Sequence, residues 1–259
     1  MRVNVLWVFT HPEQRSLLGA LCADGIRVLE AAGHDVRLSD LYAMKWKATV
    51  DRDDFTDLGD ERLSVSSASG LAYLRGTLSK DIQAEQEKLE WADAVVIQFP
   101  MWWHGMPAML KGWFDRVFCA GFGYWVTDPA DPAVSLRYGD GKLAGKRALV
   151  VVNSGSTAES FGPRGINGPI EHVLFPLTHG ILWYAGMSVL PPVITFDCGA
   201  SGEDSYQIAR SALHTALDSI ADAEPIPYRH QNKGDYDRDL TLRPDLTPGV
   251  IGMDAHKAS

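Results

Sequence analysis

Residues 3–9, VNVLWVF, are an unbroken apolar run of strand length, rich in β-branched and aromatic side chains. That pattern predicts a strand buried on both faces. The polar turn HPEQRS follows. Residues 16–31 then set Leu17, Leu21, Ile26 and Leu29 at helical spacing, with Gly33 as the stop. The same alternation recurs along the chain. DVRLSDL (35–41), DAVVIQFP (93–100), KRALVVVNS (146–154) and part of MSVLPPVITFD (187–197) predict four more strands. Helical patterns at 80–92, 106–118, 168–182 and 203–221 lie between and after them, the one at 168–182 interrupted at Pro176. Residues 42–79 are polar and irregular, with the Ser-rich piece SVSSASG at 64–70, and predict a long loop. Residues 223–259 are polar and proline-rich, and predict an extended tail lying on the body or on a partner subunit.

Five strand runs separated by helices predict an α/β fold over residues 1–222: a doubly wound parallel sheet with helices on both faces. In such sheets ligands bind beyond the carboxyl ends of the strands. Three loops are picked out by that rule: 10–18, 100–106 and 153–162.

Composition narrows the functional classes. With 46% apolar and 22% charged residues the chain has enough material for a packed core. Its net charge of −9 disfavours nucleic acid and anionic membrane surfaces as partners. Cys22, Cys119 and Cys198 show no CxxC spacing, so a reducing, cytoplasmic setting is expected and a cysteine zinc site is not. The start of the chain reads as a strand, not a leader, and no apolar run is long enough to span a bilayer. His172 and His179 stand seven apart without an accompanying HExxH pattern, so no metal site is expected. The acidic run DRDDFTDLGDE (51–61) lacks calcium-loop spacing and reads as a solvated loop. A GxSxG hydrolase elbow is absent.

The first loop, THPEQRSLL, has neither GxGxxG nor a Walker A pattern. The helix opening near Ser16, with Thr10 and Arg15, suits a phosphate at a positive helix end. It is equally a plain capped turn. The second, PMWWHGMP, places Trp102, Trp103 and His104 at a strand's carboxyl end. Flat side chains there suit a planar ligand, although tryptophans often serve only the core. The third, NSGSTAESFGPRGINGP, is small and glycine-rich, so it makes either a backbone nest or an ordinary Gly/Ser loop.

Several longer stretches carry a family resemblance: SDLYAM (39–44), LSKDIQAEQEKLEWAD (78–93), QFPMWWHGMPAMLKGWFDRVF (98–118), GINGPIEHVLFPLTHGILWYAG (165–186) and VLPP (189–192). Over roughly residues 3–222 the chain resembles the NAD(P)H:quinone oxidoreductases of the DT-diaphorase type. These are flavodoxin-like homodimers carrying FAD. The resemblance implies the strand order 2-1-3-4-5 and two-electron, ping-pong hydride transfer from NADPH or NADH through the flavin to a quinone. It implies that His11, Arg15, Ser16 and Leu17, with Ala20 behind them, lie at the FAD diphosphate. Pro100, Met101, Trp102, Trp103 and His104 would run along the isoalloxazine, with Trp103 packed on the ring. Asn153, Ser154, Gly155 and Ser156 would meet its pyrimidine edge. Tyr124 would close over the substrate of the partner subunit.

The chain also departs from the family. Where the animal members carry a tyrosine–histidine relay beside the flavin, it has Phe161 and Asn167, neither of which titrates at neutral pH. His104 stands where those members have phenylalanine, and Val126 replaces a second substrate-side tyrosine. Ser64 and Tyr206 replace a Gln and an Arg at the adenosine half, while the chain length favours FAD over FMN. An azo or nitroaromatic reductase on the same scaffold, or a nucleotide-sensing ancillary subunit of an ion-efflux system, are the alternative readings.

Overall fold

The computed structural model describes residues 1–60, 62–198 and 203–258. Glu61 of the acidic run and Ser259 at the tail's end lie outside the described residues. The strands are β1 (Asn4–Phe9), β2 (Asp35–Asp40), β3 (Ala94–Pro100), β4 (Arg147–Asn153), β5 (Ser188–Val189) and β6 (Val193–Thr195). The helices are α1 (Leu17–Ala31), α2 (Val65–Arg75), α3 (Lys80–Trp91), α4 (Ala108–Val117), α5 (Ile170–Leu177) and α6 (Glu203–Asp218). The sheet is parallel and ordered β2-β1-β3-β4-β5, with β6 also paired to β4. This is the doubly wound, flavodoxin-like order.

Alternate residues of each strand face opposite layers. Leu6, Val8, Val95 and Ile97 point to the side covered by α3, α4 and α5. Val5, Trp7, Ala94 and Val96 point to the side covered by α1 and α6. Burial on both faces is what makes the strands read as continuous apolar runs. On the second side α1 lies close to the sheet. A Cβ on Gly25 would come within 2.4 Å of the Trp7 ring. α6 is held to α1 through Asp24, whose carboxylate accepts from Arg210 Nε (2.9 Å) and His214 Nε2 (2.5 Å).

Four expectations change. The fifth strand is two short ones, because Pro191 and Pro192 between β5 and β6 have no N–H for the ladder. Pro176 does not interrupt its helix: α5 runs through it and widens into a π-turn over Thr178–Trp183. The Ser-rich stretch is not loop but α2, closed by Gly76 in the left-handed region (φ 69°). Its inward face is small (Ala68, Ser69 and Ala72) and fits against Ala120, whose N–H donates to Ser69 Oγ. The acidic run is also not simply solvated. Asp54 is 1% exposed and accepts from Arg116 Nε (3.2 Å) and Nη2 (2.8 Å).

Arg116 organises the polar stretch around residues 42–79. Besides Asp54, its guanidinium donates to Lys47 O (3.0 Å), Asp81 (2.6 Å) and Ser79 Oγ (3.2 Å), and lies 4.6 Å from the centre of the Trp46 ring. Five donors of one fork thus tie three backbone segments that share no sheet to α4. Residues 223–258 pack on the chain's own body. Tyr228 shares a hydrogen bond with Thr178 (2.9 Å), Ile226 N–H donates to Val189 O, and Trp183 Nε1 donates to Arg229 O. Among the described residues no helix is long and apolar enough to cross a membrane, and no group of three or more potential ligands could hold a metal.

Two outcomes follow from these ion pairs. Arg116→Met leaves the buried Asp54 with Lys47 Nζ (2.9 Å) as its remaining ion partner and is expected to cost about 3 kcal/mol in urea unfolding, the low end for a broken buried pair. Arg116→Lys restores only part of this, because one ammonium cannot reach every acceptor of the fork. Burial pushes the Asp24 carboxyl up, but the hydrogen bonds from His214 and Arg210 outweigh it and hold the carboxyl below its usual range. Its stabilising contribution is therefore complete above the unfolded value of about 3.9 and is lost as pH falls through the lower folded value. Thermal melts of Asp24→Asn should decline less steeply than those of the parent below about pH 4.

Candidate active site

The first loop is set from beneath by Gln98 in the central strand. Its side chain is fully buried, accepts from Trp7 Nε1 (2.8 Å) and donates to Leu18 O (2.9 Å). Its backbone carbonyl accepts from Thr10 N–H (2.9 Å). Ser16 caps α1, accepting from Gly19 N–H at 3.1 Å. Gly19 is needed there, since a Cβ would fall 2.0 Å from Gln14 O. The N–H groups at the opening of α1 have no intrahelical acceptor and carry the positive end of the dipole. Thr10 Oγ1 is buried without a hydrogen-bond partner. His11 is half-buried and its Nδ1 accepts from Glu13 N–H (3.0 Å). Leu17 is half-buried on the α1 side of the core. Arg15 directly precedes the Ser16 cap. Its side chain is 89% exposed and pairs with Glu13 (3.1 Å).

The second loop begins where Pro100 ends β3, with Met101 N–H donating to Asn153 O (2.9 Å). Trp102 and Gly105 then exchange backbone hydrogen bonds of 3.0 and 3.1 Å across a two-residue tip. The tip residues are Trp103 (φ 51°) and His104 (φ 57°), both left-handed. Such a turn normally takes Asn and Gly. A tryptophan and a histidine there store about 1–3 kcal/mol each. Trp103 is 99% exposed, so no contact within the chain repays this strain. The His104 ring lies 6.1 Å from that of Phe161.

In the third loop, Asn153 closes β4 with its Oδ1 buried and unpartnered. Ser154 N–H donates to Thr195 O (2.8 Å), and Ser154 Oγ accepts from Ser156 N–H (3.2 Å). Gly155 stands between them, exposed and with open space on its Cα. Phe161 is buried against Phe196 (5.7 Å). Asn167 is spent on Ser160, donating Nδ2 to its Oγ (3.0 Å) and its own N–H to the Ser160 carbonyl (2.9 Å). Beside it Ile166 is 96% exposed.

β3 and β4 are adjacent, so these side chains meet at one carboxyl edge, with the first loop next along on β1. Tyr124 stands apart. It lines an open groove of about 540 Å³ with Phe114, Phe118, Ile181 and Tyr184. Gln98 was not singled out by the sequence reading, although a glutamine inside AVVIQFP was the signal. Phe196, the partner of Phe161, was also passed over.

The edge combines exposed flat side chains, unpaired backbone donors and two buried oxygens lacking partners. This is the chemistry of a site for a planar ligand with a polar rim and an anionic arm. Comparison with known proteins gives the same direction. The flavodoxin-like fold family matches residues 3–218. A ribosyldihydronicotinamide dehydrogenase-like protein from Penicillium crustosum is 47% identical over 90% of this chain and 87% of its own length. The rat NAD(P)H dehydrogenase [quinone] 1 is 34% identical over 86% of this chain and 79% of its own. The chain belongs to the flavodoxin-like NAD(P)H:quinone oxidoreductase family. A crystal structure from Klebsiella pneumoniae, assigned to the quinone reductases, superposes with a TM-score of 0.95 at 48% identity, over 99% of this chain and 100% of that one. Family membership thus extends over the sheet and all three loops.

The strained tip yields a test of its own. Trp103→Gly removes an indole with no contact inside the chain and relieves one left-handed residue. The flavin-free variant should be stabilised by about 1 kcal/mol, read as a rise of roughly 2–4 °C in melting temperature.

Proposed function

We propose that this oxidoreductase is an FAD-dependent NAD(P)H:quinone reductase that works as a homodimer in the cytoplasm. The observation that carries the reading is the Trp102–Gly105 turn, which holds an indole and an imidazole clear of the core in strained backbone. Strain of this kind persists where a function selects it. The residues at the edge fit a flavin. The α1 helix opening, the Ser16 hydroxyl, His11 and the unpaired Thr10 hydroxyl suit a diphosphate. The backbone from Pro100 to His104 would hold the ring, and Trp103, exposed and without a contact in the chain, would be free to cover it. Asn153, Ser154, Gly155 and Ser156 offer donors and a carbonyl oxygen to the pyrimidine edge. Arg15, paired with Glu13, is not needed for charge there.

The chemistry that FAD supplies when bound is a two-electron relay between a dihydronicotinamide donor and the acceptor. Donor and acceptor would enter the same edge in turn, which would make the kinetics ping-pong. The protein excludes water with Trp102, Trp103 and Phe161, and its loop N–H groups face the rim where negative charge develops. Phe161 and Asn167 do not move protons, so His104 donates one to the oxygen of the reduced quinone. Tyr124 acts across the dimer. Support for this is the open, largely apolar groove that it lines, next to the 64%-exposed Trp125.

Purified protein should be yellow and release FAD on denaturation. Stopped-flow bleaching with NADH, NADPH and dihydronicotinamide riboside then ranks the donors, the last because relatives are named for it. Protein that takes up neither FAD nor FMN would overturn the reading. In His104→Phe, bleaching by the donor should stay within about twofold while quinone turnover falls on the order of 10²-fold, the usual worth of a positioned acid. Unchanged turnover with an unchanged pH profile would remove His104 from the mechanism.

A further inference from the structure

The tail and the body enclose a second cavity, of about 300 Å³. Its walls include Tyr138, Phe175, His179, Tyr236, Leu240 and His256, with Gln231 as a further polar group. None of these belongs to the three loops at the carboxyl edge. The residues that roof it, from 231 to 256, lie beyond the stretch matched by the family. The walls are mostly flat rings. Phe175 stacks on His179 at 4.5 Å, Tyr138 lies 4.9 Å and His256 5.6 Å from His179, and Tyr236 stacks on His256 at 5.9 Å.

His179 is 9% exposed, and its Nε2 is buried with no hydrogen-bond partner. An orphaned polar atom among aromatic rings costs about 1–3 kcal/mol and calls for an explanation. Burial and the neighbouring His256 push the His179 imidazole down to about 4, and burial, then Arg229, lower His256, so both rings are neutral at pH 7. A neutral box of rings presents its negative faces inward and does not compensate a buried anion, which argues against a carboxylate ligand. A dry cavity of ~150 Å³ already holds benzene, so this one has room for a substituted single ring. The imidazole offers Nε2 as donor or acceptor according to tautomer, and a hydroxyl satisfies either. The soft χ2 torsion lets the ring turn that nitrogen to the cavity.

We propose that this cavity is a second binding site, separate from the catalytic edge, for a neutral single-ring phenol that stacks among Phe175, Tyr138 and Tyr236 and hydrogen-bonds to His179. The test uses flavin-loaded, full-length protein with ¹³C-labelled histidine and 4-fluorophenol as probe. The Cε1–H resonances of His179 and His256 should shift saturably, with affinity on the order of a millimolar or tighter for so small a ligand. His179→Phe should weaken binding about tenfold, followed on His256, the equivalent of one lost hydrogen bond. Leu240→Trp should fill the space and abolish the shifts, with quinone turnover retained in both variants. Should Leu240→Trp fail to fold, His179→Phe carries the test alone. Shifts confined to His104, no saturation at either cavity histidine, or equal affinity in His179→Phe and the parent would each overturn the proposal.

Discussion

The side-chain amide of Gln98 holds the functional edge in place. It sits in the middle strand of the sheet with no solvent contact, where an idle amide would cost about 1–3 kcal/mol for each unpaired group. Both ends are used. The oxygen takes the Trp7 indole N–H from β1, and the nitrogen gives to the Leu18 carbonyl in the first turn of α1. One residue therefore sets the height of α1 above two strands. The Gly25–Trp7 approach and the Asp24 cluster then follow along the same helix. Because the amide is satisfied from below, the opening N–H groups of α1 and the Thr10 hydroxyl are left for whatever lies above.

The second loop is shaped by the opposite device. Met101 is pinned to Asn153 on one side, and Gly105 leads into α4 on the other. α4 is itself anchored by Arg116, which reaches three other segments of backbone. The two left-handed residues at the tip are over-determined by these rigid flanks, which is the condition under which strain survives in a folded chain. A buried ion network some distance away thus contributes to the display of Trp103 and His104. A loop on softer supports would relax, and the indole would fold back onto the apolar surface.

Much of this was legible in the sequence where the physics is local or periodic. Strands buried on both faces read as apolar runs, and the carboxyl-end rule located all three loops before any geometry was known. What failed was non-local. α2 has a serine-rich, weakly amphipathic sequence, and packing of its small residues on Ala120 decides for helix. Asp54 looked solvated because its partner lies 62 residues further on. Pro191 and Pro192 were visible, but whether they end a strand or split it depends on β4 alongside. The unpartnered Thr10 and Asn153 oxygens are facts of burial, which no motif announces.

The side chains around Phe161 converge on one residue. Phe161 is packed on Phe196 and has no proton to give, and Asn167 has committed its amide to Ser160. Among the described residues of the three loops, the histidines are His11 and His104. His11 is engaged with the Glu13 backbone at the helix opening after β1, with β3 between it and the Phe161 wall after β4. His104 is on that wall, its ring 6.1 Å from Phe161. It is also held in backbone that a glycine would occupy at lower cost. If ring packing alone mattered at this position, phenylalanine would serve. An imidazole in strained backbone, beside Phe161 and an Asn167 that do not exchange protons at neutral pH, is the arrangement the proposed proton donor requires.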